Sequence, residues 1–360
     1  MSFDLLLLLA FIVLFIIMFR RIARKNWGRS WTLQSDQRFF QSAVAAPTLI
    51  VPAGHPCVPL ALRLERALPN DYAHQLRQRV FTEHPDMTEE EWNWRWVEMR
   101  RYFLICALFK QMPMFSSKVD DIWHEMLMFT REYQQFCEQF FGYMLHHSPH
   151  GQSVSQPDQR ALFDWTYSQL FPMTRANSKL WNGFFNYPLP QATMNNLYSF
   201  NEYRIDHSLF NRQTFNNVPE AKTVILYLSK QFRDHNQQAV QKTPPAKYDK
   251  QNKNQTYDTG NYTSPSDNYG LGVAGCAAVY YSQNDVQHFC SSVNTYLPAD
   301  VQTLQSYSSS SSCGTGYVST DNSNHHNSHH SSDNHSSHDS GESSCSSDSS
   351  CSSCGGGGGD

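Results

Sequence analysis

The sequence predicts a mainly α protein: an N-terminal transmembrane helix, a helical globular domain and a long disordered tail rich in Ser, His, Cys and Gly. Three observations predict it. Residues 5–19 are unbroken apolar sequence. Between about Val58 and Phe232 apolar residues recur every three or four positions, the helical period. All 28 Lys and Arg lie at or before Lys253, so the first 253 residues carry a net +6 and the last 107 a net −10. The divisions expected are 1–25 anchor and basic flank, 26–57 linker, 58–235 helical domain, 236–305 Asn/Gln/Tyr-rich linker with a short apolar patch, and 306–360 tail.

The leader LLLLLAFIVLFIIMF is followed at once by RRIARK. Fifteen residues rise only about 22 Å as a helix, short of a ~30 Å hydrocarbon core. Met1–Ile22 inserted together, with Arg20 and Arg21 snorkelling, close that gap. The acidic n-region MSFD and the lack of a small-residue cleavage site argue against a removed signal peptide. Basic residues at 20–25 then hold their flank inside. The expectation is a single-pass protein of a bacterial inner membrane with its bulk in the cytoplasm. The scattered +6 is no nucleic-acid footprint, which would cluster on one face.

Within the domain, Pro69-Asn70-Asp71 opens a helix running to about Val80. Thr88 with Glu89, Glu90 and Glu91 forms a capping box for the next, which runs to about Lys110 before Pro113. Its Trp92, Trp96, Met99, Phe103 and Cys106 are expected on one core face. Ser116 or Ser117 caps a long helix reaching about Met144, with Val119, Ile122, Trp123, Met126, Thr130, Tyr133, Cys137, Phe140, Phe141 and Met144 on its buried arc. Asp158 caps a helix through ALFDWTYSQLF, and another spans Val218–Phe232. Cys57, Cys106 and Cys137 sit in apolar contexts typical of buried thiols. YGLGVAGCAAVYYS is too short and glycine-rich to span a bilayer, and reads as a patch that docks on the domain or on the membrane surface.

Residues 116–150 also carry the candidate chemistry. Asp120 and His124 are four apart and share a helix face, and a carboxylate beside an imidazole serves a metal ligand or a general base. On an unbroken helix His124 and His147 lie about 34 Å apart. They meet only if Gly142 ends the helix and the chain folds back. The favoured reading places His146 and His147 at the helix C-terminus, bonding its free carbonyls, and makes His124 a boundary histidine hydrogen-bonded to Asp120 on a packed helix, with a ligand site as the lesser reading.

The pattern V-D-x-x-W-H, T-x-x-Y-x-x-F-C-x-x-x-F-G, L-H-H-x-P is formed here by Val119, Asp120, Trp123, His124, Thr130, Tyr133, Phe136, Cys137, Phe141, Gly142, Leu145, His146, His147 and Pro149. It resembles a bacterial family of glycine-rich-domain-containing proteins. More distantly it is similar to plant glycine-rich domain proteins, whose domain of unknown function carries W-H-x-H. The resemblance marks a family and implies no activity. Met126 stands where the plant-like pattern has its second histidine.

The tail offers a second set of donors in His325, His326, His329, His330, His335, His338, Cys345, Cys351 and Cys354. Imidazole and thiolate suit Zn, Ni and Cu. Walker, nucleophile-elbow, dinucleotide-binding and H-E-x-x-H motifs are absent from the sequence. The functional expectation is therefore a non-enzymatic binding or scaffold module with a protein partner. The alternatives are a metal-binding protein or metal-dependent enzyme using Asp120, His124 and His147 with a divalent transition metal, and metal handling by the tail.

Overall fold

A computed structural model of the chain describes residues 35–147, 156–200, 209–246 and 271–302. The leader Leu5–Phe19, Pro149 and the tail histidines and cysteines lie outside the described residues. Among the described residues no helix is long and apolar enough to cross a membrane. These residues are helical with no strand; one antiparallel bridge joins Phe109 to Phe210.

The elements are α1 (35–42), α2 (Val58–Ala67), α3 (Asn70–Glu83), α4 (Glu89–Leu108), α5 (Ser117–Leu127), α6 (Thr130–Phe140), α7 (Pro157–Leu170), α8 (Arg175–Leu180), α9 (Gln191–Ser199), α10 (Arg212–Asn217), α11 (Pro219–Val240), α12 (Val273–Asn284) and α13 (Phe289–Asn294). Two helix starts are capped by the residues the sequence points to, although at α4 only the Thr88 half of the expected box is present and the Glu91 carboxylate turns to Arg95. Thr88 accepts from the backbone N–H of Glu91 at 3.2 Å, and Ser116 accepts from that of Val119 at 3.2 Å. Pro157, at the first helical position, opens α7, and Asp158 lies in the first turn instead of capping it.

α4 is the axis of the fold. It was expected to bury one face, yet Trp94, Val97, Met99 and every residue from Arg101 to Leu108 are buried, whereas Trp96 is half-exposed. The reason is that α2, α5, α7, α8, α10 and α11 all pack on it, and a helix enclosed all round carries apolar side chains all round. Its buried charges are paired. Glu98 accepts from Arg101 Nη1 (2.9 Å), Tyr167 Oη (2.8 Å) and Trp181 Nε1 (2.7 Å). Arg101 Nε donates to the carbonyl of Ile50 at 2.9 Å, which fixes the segment before α2 against the core. Cys57, Cys106 and Cys137 are buried as the sequence suggests, and burial pushes the Cys57 and Cys106 thiols up to about 12.

Both expected linkers differ from expectation. Residues 26–57 contain α1, and Phe40, Ile50, Val51 and Cys57 are buried. Residues 236–305 contain the end of α11, α12 and α13. The glycine-rich patch is α12 itself, packed on α7 and α11. Gly275 follows from that contact. A Cβ on Gly275 would sit 2.1 Å from Gln169 Nε2 and 2.4 Å from Ser168 Oγ, so only glycine lets α12 approach α7 so closely.

Candidate metal centre

The long helix expected over residues 116–144 is two helices. In a continuous helix the carbonyl of Met126 would bond the amide of Thr130. Here it accepts from Phe129 N at 3.2 Å and from the Tyr72 hydroxyl of α3 at 3.0 Å. The Phe129 ring packs edge-on against Tyr72, 5.8 Å between centroids. The backbone at Phe129 turns to φ −95°, ψ 67°, and α6 starts afresh. Tyr133, Cys137, Phe140 and Phe141 keep their expected burial, but Thr130, at the first position of α6, and Met144, beyond its end, are exposed where the sequence placed them in the core.

α6 ends at Gly142, whose φ of +77° is the left-handed conformation that glycine tolerates best. Its N–H bonds the carbonyls of Cys137 and Glu138, both at 3.1 Å. The remaining carbonyls at this end are taken by Arg63 of α2, with Nε to Phe140 O at 3.0 Å and Nη2 to Gln139 O at 2.8 Å. The expectation that His146 and His147 cap this terminus is corrected on that ground, because an arginine already occupies it. After Gly142 the chain folds back along α5. Tyr133 Oη secures the return, accepting from Trp123 Nε1 at 3.0 Å and donating to the carbonyl of Leu145 at 2.7 Å.

That return places His147 beside Asp120. Its Nε2 lies 2.8 Å from Asp120 Oδ1, while His124 Nε2 lies 3.6 Å from Asp120 Oδ2. The two imidazoles are 4.7 Å apart between centroids, and His147 meets the Trp123 ring edge-on at 4.5 Å. One donor atom from each of Asp120, His124 and His147 can be chosen so that all lie within 4.8 Å of one another. Around a tetrahedral ion with bonds of about 2.1 Å, ligand atoms sit about 3.4 Å apart. The gap to close is about 1.4 Å at most, within the reach of a rotating side chain. His124 has that freedom, since its side chain is 52% exposed, against 6% for His147 and 10% for Asp120. The arrangement is two buried potential donors and a more exposed third.

The other residues of the pattern hold this geometry. Trp123 and Tyr133 are buried struts, Gly142 is the turn, Cys137 is a buried thiol raised by its burial, and His146 is exposed and outside the cluster. Met126 is fully buried. Residues two apart on a helix face nearly opposite ways, so that position could not have joined His124 here. Sequence reasoning missed Tyr72 and Arg63, which break and cap the two helices from 54 and 77 residues away. No local signal marks either.

A model of the UCP032817-like family matches residues 63–163, a span that includes all three clustered residues and their supports. No curated protein and no solved structure matches the chain.

Proposed function

We propose that this chain is a metal-binding helical module in which Asp120, His124 and His147 hold a transition-metal ion, tethered at the cytoplasmic face of a bacterial inner membrane by Met1–Ile22. The observation that carries the reading is the return of the chain at Gly142, which brings His147 within hydrogen-bonding distance of Asp120. Two neutral imidazoles and one carboxylate are a common donor set for first-row transition metals. Three protein ligands leave a coordination position for solvent or a partner group. The relation to glycine-rich-domain proteins is supported by the W-H, Y-x-x-F-C and L-H-H pattern and by the composition of the tail. The tether is supported by the apolar leader and its basic flank.

The test is elemental analysis of the detergent-purified full chain against the His124→Ala/His147→Ala double variant. The wild type should retain one more equivalent of zinc, cobalt or copper after dialysis. Equal metal content in the two would overturn the reading, since the tail donors are common to both.

A second reading, a scaffold for a protein partner, is favoured by a groove lined by Pro59, Leu62, Glu65, Arg66, Asn70 and Glu220. Leu62 is exposed there, and Glu220 Oε2 is buried without a hydrogen bond among the described residues. An exposed leucine beside the Glu65 and Arg66 charges suits an apolar segment of a partner flanked by polar groups.

A further inference from the structure

The methionines of the chain fall into two classes. Of the nine in the described residues, Met87, Met99, Met112, Met114, Met126, Met173 and Met194 are buried. The two exposed ones are Met128 at 62% and Met144 at 37%, each within four residues in sequence of one of the two clustered histidines. Met128 follows His124 by four residues, and its backbone is still helical at φ −66°, ψ −23°. The thioether and the exposed imidazole are therefore neighbours on one face. Met144 stands three residues before His147 on the returning segment.

Thioether sulfur is a soft donor that selects monovalent copper over zinc and the harder divalent ions, and imidazole accepts either. Charge points the same way. Asp120 brings one negative charge to a cluster whose other donors are neutral when ligating, so a monovalent ion leaves the assembly neutral and a divalent one leaves it at +1. Net charge in a half-buried site is costly.

We propose that the centre is selective for monovalent copper, held by the imidazoles of His124 and His147 and the thioether of Met128, with Met144 as a further soft donor on the returning segment and Asp120 as the neutralising carboxylate. This rests on the metal-binding reading above and names its ion. Met128 then acts as the selectivity residue, because it adds nothing for zinc.

The experiment uses the full chain with Cys313, Cys345, Cys351 and Cys354 replaced by serine and His325, His326, His329, His330, His335 and His338 by asparagine, so that tail donors do not compete. Copper(I) affinity is measured anaerobically against bicinchoninate, and zinc affinity against a chromogenic chelator. Three proteins are compared: this background, Met128→Leu/Met144→Leu in it, and His147→Ala in it. The methionine double variant should lose about tenfold or more in copper(I) affinity with zinc affinity unchanged, and His147→Ala should weaken both. Unchanged copper(I) binding in the methionine variant, or an equal fall for copper and zinc, overturns the selectivity while a zinc loss in His147→Ala keeps the metal site. No loss of either ion in His147→Ala overturns both.

Discussion

Glu98 and His55 show how single side chains are committed by their surroundings. The Glu98 carboxylate is wholly enclosed and takes three donors, from Arg101, Tyr167 and Trp181. Removing its charge strands the Arg101 guanidinium, and breaking a buried pair from one side costs about 3–5 kcal/mol. Glu98→Gln, nearly the same shape, should lower the stability measured by urea unfolding by that amount, and a loss below about 1 kcal/mol would show that the network does not depend on the charge. His55 is committed to its neutral form. Its Nε2 donates to the carbonyl of Gln169 at 3.0 Å, its Nδ1 accepts from Cys57 N at 3.1 Å, and Tyr227 packs on its ring. Burial, only partly opposed by the Gln169 bond, lowers its pKa to about 4.

Among the elements, the joints on either side of α6 decide whether there is a centre. At the first, Tyr72 and Phe129 interrupt what local periodicity would continue. At the second, Gly142 reverses the chain in a conformation that costs an L side chain roughly 1–2 kcal/mol. Nothing lies within 4 Å of a Cβ built there, so the penalty is one of backbone alone. Gly142→Ala should therefore destabilise by about 1–2 kcal/mol and weaken metal binding, because the turn aims His147. Gly142→Asn should fall between the two, since asparagine tolerates this region better. Calorimetry and metal titration on the same samples would check both, and an alanine variant with unaltered affinity would mean that the return does not need the turn.

Across the whole molecule, three buried ionisable groups set the response to acid. His55 and His235 are both lowered to about 4 by burial, and His235 Nδ1 has no hydrogen-bond partner among the described residues. Their folded pKa values lie below the unfolded 6.5, so the stability they contribute is present above pH 6.5 and lost as pH falls toward 4. Asp164 works the other way. Burial raises it to about 6 despite Arg160 and the Phe185 amide, so its contribution is greatest below pH 3.8 and is lost as pH rises through 6. Two groups outweigh one, and the folded state should be about 2–3 kcal/mol less stable at pH 5 than at pH 7. Urea midpoints at the two values test this, and His55→Gln should flatten the profile; a midpoint unchanged or higher at pH 5 would contradict it.

The sequence by itself determined the helical class, the starts of α4 and α5, the buried thiols and the shared face of Asp120 and His124. Each of these depends on residues within about four positions of one another, where helical period and capping act. It also stated the condition on which His124 and His147 could meet, a stop at Gly142, but it favoured a helix cap for His146 and His147, and the structure reversed that preference. Only the tertiary structure decided. The Tyr72 hydroxyl taking the carbonyl of Met126, Arg63 occupying the end of α6, and the close approach of Gly275 to α7 join residues 54 to 107 positions apart in the chain. Patterns along a chain report the neighbours a residue carries with it, whereas these contacts exist only once separate helices have packed.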